Sequence, residues 1–261
     1  MRTSVILNLK GGVAKTATAV NVAAILASDY KQRVLLVDAD SQCNTTEFFG
    51  GDPDIGSLAD VLRYKGDDVA QYARDRIQTT QLPNLDLLAG DDSLMDLDLT
   101  KVETKSVQAT CLLDMIRLLE RQGRYDICLV DCPPAFNAAS AAALIAADDV
   151  IVPIKLDAFS LRGMTNLLRQ ISNMQTLNPS LWVAGCLPTM WYRSTKILEA
   201  EATLRASRLP VYETHIRRTD KVDDMTFEQE PLRTYSPRSA AAVDYRRFVR
   251  EYLAQGGAGN G

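Results

Sequence analysis

Lys10-Gly11-Gly12-Val13-Ala14-Lys15-Thr16 follows the apolar run Val5-Ile6-Leu7 and leads into Ala17-Thr18-Ala19-Val20-Asn21-Val22-Ala23-Ala24. A strand, a glycine loop and a helix start, in that order, form a phosphate cradle, because the loop N–H groups and the positive end of the helix converge on one anion. In such a cradle Lys15 reaches the β- and γ-phosphates and the Thr16 hydroxyl ligates magnesium. The phosphate-binding set is then Lys10, Gly11, Gly12, Val13, Ala14, Lys15, Thr16 and Ala17. One lysine suffices for such a loop, so Lys10, just ahead of the glycines, suits a phosphate elsewhere, for example in a facing subunit. The strict G-x-x-x-x-G-K-[ST] pattern is not met: Leu9 and Ala14 stand at its glycine positions. Ala14 demands a backbone conformation that tolerates a Cβ.

The rest of the chain repeats one pattern. Arg33-Val34-Leu35-Leu36-Val37-Asp38-Ala39-Asp40 and Asp126-Ile127-Cys128-Leu129-Val130-Asp131 are continuous apolar runs ending in carboxylates, as buried parallel strands do. Pro133-Pro134 stops the second. Further strands are expected at Leu85 to Ala89, Val150 to Ile154 and Trp182 to Leu187. Helices are expected near 58–64, 109–122, 140–147, 161–177, 197–207 and 240–253, with Ser41 to Gly56 a polar segment and Asp91 to Glu103 an acidic exposed loop. Strands alternating with helices predict an α/β fold: a doubly wound, mainly parallel sheet with helices on both faces. One domain over 1–254 is expected, with a disordered glycine-rich tail over 255–261. Ligands bind at the C-terminal strand ends of such sheets, which places the loop, Asp38, Asp40 and Asp131 around one crevice. Three carboxylates and two lysines together need a polyphosphate and a metal to neutralise them.

The 261 residues are 46% hydrophobic and 24% charged, within the range of ordinary globular chains. No run is long and apolar enough for a membrane span, and no signal peptide opens the chain. Five cysteines at irregular spacing and one histidine, His215, fit neither a disulfide framework nor a zinc site. Net charge is −4, but Thr189 to Glu251 carries 12 Lys/Arg against 10 Asp/Glu. A basic patch, if the chain has one, therefore belongs in its last quarter.

Together these residues resemble the deviant-Walker P-loop ATPases of the ParA/MinD family. The loop at 10–16 carries the resemblance first. Leu36 to Asn44 is similar to the family's switch I, Tyr125 to Pro134 to its second carboxylate strand and following switch, and Ala146 to Pro153 to its next strand. His215-Ile216-Arg217-Arg218 to Pro231-Leu232 is similar to the late nucleotide-side loop and helix, and Tyr235-Ser236-Pro237 through Glu251 to the ParA branch. The resemblance implies ATP and Mg2+ as cofactors and a homodimer closed around two ATP molecules, with slow hydrolysis stimulated by a ParB-like partner. Lys15 would hold its own nucleotide and Lys10 would cross to the partner's. Asp40 would position the attacking water, while Thr16, Asp38 and Asp131 would organise the metal.

Membrane-cycling members end in an amphipathic helix, which the glycine-rich tail does not supply, and a loop at residue 10 leaves no room for a preceding DNA-reading domain. The resemblance therefore points to a small ParA-type partition ATPase, cytoplasmic and nucleoid-associated, that binds double-stranded DNA without sequence preference. The implied DNA contacts are Arg193, Lys196, Arg217, Arg218, Lys221, Arg246, Arg247 and Arg250. A related ATPase that places a protein cargo instead of DNA is the alternative.

Overall fold

β1 (Arg2–Ile6) alternates Val5 toward one face and Ile6 toward the other, and both are fully buried. A strand apolar on both sides must lie inside a sheet covered twice. The computed structural model, which describes residues 1–65, 68–97, 107–207 and 209–258, builds that sheet from seven strands. After β1 come α1 (Lys15–Ser28), β2 (Val34–Asp38), α2 (Asn44–Phe48), α3 (Leu58–Arg63), α4 (Val69–Arg74), β3 (Gln78–Thr79) and β4 (Leu85–Leu88). α5 (Val107–Arg121), β5 (Ile127–Asp131), α6 (Ala138–Ala146), β6 (Asp149–Lys155), α7 (Ala158–Gln175) and β7 (Trp182–Thr189) follow. α8 (Thr195–Arg205), α9 (Lys221–Glu228), α10 (Leu232–Tyr235) and α11 (Ala240–Ala258) close the chain.

The order is β3-β4-β2-β5-β1-β6-β7, parallel throughout except for the short β3. Asp38 and Asp131 stand side by side in register at the ends of β2 and β5, and Ile6 at the end of β1 pairs with Asp131. The loop after β1 therefore emerges beside both carboxylates. One apolar core joins the sheet to α3, α5, α6, α7 and α8; the other joins it to α1, α9, α10 and α11. The doubly wound architecture expected from the alternation of strands and helices is what the sheet shows.

Some local expectations need correcting. α11 continues through Gln255 to Ala258, beyond the expected end at 254; residues 259–261 lie outside the described residues. Its apolar stripe, Tyr245, Phe248, Val249 and Tyr252, is buried in the core that contains α1. The polar segment 41–56 contains α2, and the acidic stretch from Asp91 contains a 3-10 turn, Asp92–Asp96, whose Leu94 is buried. The remainder of that stretch, from Asp98 onward, lies outside the described residues. No described helix is long and apolar enough to cross a membrane.

Candidate nucleotide site

The loop opens on a side chain that no motif flagged. Asn8 donates from Nδ2 to the Pro153 carbonyl (2.8 Å) and accepts from the Lys10 amide (3.0 Å), tying the loop to β6. At its far side the Thr189 hydroxyl donates to the Val13 carbonyl (3.0 Å), so β7 holds it too. Val13 is fully buried and contributes backbone, not side chain. Gly12 and Ala14 have φ of +68° and +64°, the left-handed region in which a Cβ is strained. A Cβ added at Gly11 would meet no protein atom within 4 Å, so packing within the chain does not explain this glycine, and the space over it leaves room for a ligand at the backbone.

Lys15 is 8% exposed, with Nζ on the Lys10 carbonyl at 3.2 Å. Burial pushes its ammonium below the usual lysine range, against the opposing pull of Asp131 and Asp40. Asp131 is also buried. Its Oδ2 accepts from the Thr45 hydroxyl (2.7 Å), and the Thr16 hydroxyl supports it as well. Its Oδ1 is buried and has no hydrogen-bond partner. Burial raises this carboxyl to about 6, opposed by Thr45, Thr16 and Lys15. A buried carboxyl with one oxygen unpartnered, supported by a threonine hydroxyl at the head of a helix, fits a hard cation with oxygen ligands.

Asp38 is placed differently from its neighbour. It is fully buried, and both oxygens are occupied: Oδ2 accepts from the Thr46 amide and hydroxyl, each at 2.8 Å, and Oδ1 from the Asp40 amide (3.1 Å). Burial first, and then the Asp131 charge, raise it to about 7. Gly90 closes this corner. Its amide donates to the Thr46 hydroxyl (2.8 Å), and a Cβ there would sit 2.9 Å from the Asp38 carbonyl oxygen. Asp38 thus shapes the backbone on which Asp40 sits, and no described group of three or more His, Cys, Asp or Glu is arranged to hold a metal. Asp40, 7% exposed, accepts from the Gln42 amide through Oδ1.

The Lys10 ammonium grips both oxygens of Asp157, at 2.8 and 2.6 Å. A pocket that includes Ala14 is lined by Met190, Tyr192, Ile216, Thr219, Val222 and Tyr245 together with the charged Lys155, Arg217, Arg218, Asp220 and Asp223. A slot that combines apolar and aromatic side chains with charged ones, and that Ala14 joins to the phosphate loop, suits a planar base with a polar edge. The resemblance over 215–232 had pointed at its later half only.

The eight basic candidates divide. Arg217 is engaged by Asp244 (2.7 Å), Lys221 by Asp224 (2.8 Å), and Arg246 by the Pro237 carbonyl. Arg193, Lys196, Arg218, Arg247 and Arg250 are exposed and without an ion-pair partner among the described residues. Arg217 and Arg247 share a pocket with Trp191, whose carbonyl accepts from the Arg218 amide, so part of the set does converge on one surface.

A phosphate loop heading a doubly wound parallel sheet, with carboxylates ending the next two strands on one side of it, β5 and β2, defines a P-loop nucleotide-binding protein. The family model described as AAA domain matches residues 1–183. The chain is 32% identical over 262 residues to the chromosome partitioning protein ParA of Caulobacter vibrioides, covering 98% of this chain and 95% of that one. It is 34% identical over 257 residues to the sporulation initiation inhibitor protein Soj of Bacillus subtilis, covering 96% and 98%. The solved structure of a cobyrinic acid a,c-diamide synthase from Mycobacterium smegmatis, with bound ADP and magnesium, superposes with a TM-score of 0.81 at 30% identity, covering 100% of this chain and 97% of the other. The chain belongs to the AAA-domain family of P-loop ATPases, and within it to the ParA/Soj type.

Proposed function

We propose that this chain is an ATPase that closes as a homodimer around two ATP molecules, binds duplex DNA without sequence preference, and drives partition of a plasmid, chromosome or mobile element. A ParB-like partner stimulates its slow hydrolysis and releases it. The observation that carries the nucleotide reading is the buried Asp131, whose Oδ1 has no partner and whose carboxyl the Thr16 hydroxyl supports, together with open space over Gly11 and Gly12 of the loop.

The backbone N–H groups of Gly11 to Ala17 cradle the phosphates, and Lys15 neutralises the β- and γ-oxygens. Magnesium would be held by the Thr16 hydroxyl and Asp131, and when bound it neutralises charge between the phosphates. Asp40 accepts a proton from, or orients, the attacking water. Asp38 positions Asp40 through the hydrogen bond to its amide. Lys10 leaves Asp157 to reach the nucleotide of the facing subunit. Met190 and Tyr192 flank the base.

For DNA, the support is the exposed Arg193, Lys196, Arg218, Arg247 and Arg250, doubled by a dimer. Contacts of this kind are electrostatic and weaken steeply with salt. The test uses Asp40→Ala, which keeps the cradle and loses the water-positioning carboxylate. With ATP it is expected to form a dimer that does not turn over and is retained on random duplex DNA at ~50 mM salt but released toward ~200 mM. Adding Arg247→Glu and Arg250→Glu should abolish retention and leave the dimer intact. An ATP-bound dimer that ignores DNA at low salt defeats the partition reading in favour of protein-cargo positioning, and parental hydrolysis by Asp40→Ala defeats the assignment of Asp40.

A further inference from the structure

Two consecutive threonines at the start of α2 hold the two carboxylates that end neighbouring strands. The Thr45 hydroxyl donates to Asp131 Oδ2 at 2.7 Å, and the Thr46 amide and hydroxyl donate to Asp38 Oδ2 at 2.8 Å. Both threonine side chains are buried, at 0% and 2% exposure, so neither hydroxyl has water as an alternative partner. Cys43, in the left-handed conformation at φ +57°, turns the chain so that residues 45 and 46 reach β5 and β2 respectively. The hydrogen bond from Thr45 uses one Asp131 oxygen and leaves the other, Oδ1, buried and unpartnered.

We propose that Thr45 is a positioning residue for the magnesium carboxylate: it fixes the rotation of Asp131 so that Oδ1 is the oxygen presented to the metal, and it thereby ties metal occupancy to the seating of α2. The inference rests on the Mg2+–nucleotide reading of the site. Partners that orient a ligating carboxylate change metal affinity by roughly 10- to 100-fold when removed. A valine at 45 keeps the β-branched shape that packs there and removes only the hydroxyl. A serine restores the hydroxyl in a smaller side chain. Because α2 is only five residues long and follows Asp40 after just Ser41, Gln42 and Cys43, with the Cys43 amide donating to the Asp40 carbonyl, a shift of Thr45 also shifts the segment that carries the water-positioning group.

The experiment measures binding of a fluorescent ADP analogue, once in EDTA and once across a MgCl2 titration, for the parent, Thr45→Val and Thr45→Ser, with a thermal melt of each. Hydrogen exchange of the amides at 44–48 is followed with and without Mg2+ and ADP. In the parent, Mg2+ tightens ADP binding and slows exchange in α2. Thr45→Val should bind ADP in EDTA as the parent does, need at least about tenfold more Mg2+ to tighten, and show no added protection of α2; Thr45→Ser should recover most of both. Thr45→Val with the parental Mg2+ dependence overturns the proposal. So does a loss that is equal in EDTA and Mg2+ and is not recovered by Thr45→Ser, which is what a purely structural role gives. A parent whose ADP affinity ignores Mg2+ overturns the metal reading of the site itself, and the inference falls with it.

Discussion

Asp131→Asn is expected to stabilise the ligand-free protein at neutral pH and to remove its response to magnesium. Asp131 is 1% exposed and adjoins Asp38 in register on the neighbouring strand. Burial lifts its carboxyl to about 6, and burial with the Asp131 charge lifts Asp38 to about 7, both from an ordinary value of 3.8. Between about pH 4 and 7 the native state therefore holds protons that the unfolded chain has already released, and stability falls as pH rises through that window. Moving one carboxyl from 3.8 to about 6 corresponds to ~3 kcal/mol at 1.36 kcal/mol per tenfold. The Asn carbonyl keeps the Thr45 hydrogen bond but its NH2 group is buried with an unmatched donor, which takes back about 1–2 kcal/mol. A net gain of roughly 1–2 kcal/mol raises Tm by about 2–8 °C in a chain of this size. Thermal melts in EDTA at pH 7.5 and 4.5 check it: the variant melts higher at pH 7.5, the gap closes toward pH 4.5, and adding Mg2+ to the ADP-bound protein raises Tm further in the parent only. Equal Tm values at pH 7.5, or a gap indifferent to pH, would refute the idea that a buried charge is held open for a cation.

Lys10 and Lys15 should fail differently. Lys15→Ala removes the ammonium inside its own cradle and should lose nucleotide binding; Lys10→Ala should bind nucleotide as a monomer and not form the ATP dimer, read by light scattering with a non-hydrolysable analogue. Identical loss of binding in both variants sinks the cross-subunit role. Ala14→Gly relieves a left-handed alanine, worth about 1 kcal/mol before the greater freedom of glycine in the unfolded chain takes back part of it. A Tm rise of roughly 1–3 °C is expected, and a fall in Tm would show that the Ala14 methyl contributes packing that outweighs its backbone strain.

The parts of the fold that were legible are those in which one local signal suffices. Val34 to Asp38 and Ile127 to Asp131 are apolar without alternation because both faces of the sheet are covered, and that pattern is visible in the residues themselves. The phosphate loop is equally local. α2 was missed because it is five residues long, begins at a left-handed cysteine and has no side-chain cap. The threonines it carries matter only through Asp38 and Asp131, and the second of these partners is distant in sequence. Gly90 reads as an ordinary turn glycine; its close approach to Asp38 exists only once β4 lies beside β2. Asp157, the partner of Lys10, lies past the end of β6 and belongs to no motif. The basic patch was the least legible, because charge alone does not tell that Arg217 is spent on Asp244 while Arg218, its neighbour, is exposed.

The unfavourable features of the fold gather at the crevice. Six described non-glycine residues have positive φ, and three of them lie at the crevice: Ala14 in the phosphate loop, Cys43 at the start of α2 and Met190 in the pocket that includes Ala14. Each left-handed side chain costs on the order of 1 kcal/mol. The Asp38 and Asp131 pair adds like charges in the same place, beside a lysine whose ammonium burial disfavours. Features of this kind persist when the surrounding packing over-determines them, and here β1, β2, β5 and their covering helices supply that packing. Their common location has a thermodynamic consequence. A nucleotide and a cation that neutralise the carboxylates and occupy the space above Gly11 bind the native state only, so they recover stability that the empty site gives up. With magnesium at the proposed site, the same linkage makes α2 responsive, since Asp131 is held by Thr45. A switch segment is then a natural product of the site's electrostatics: the helix that steadies two repelling carboxylates in the absence of ligand is the one whose constraint changes when ligand arrives.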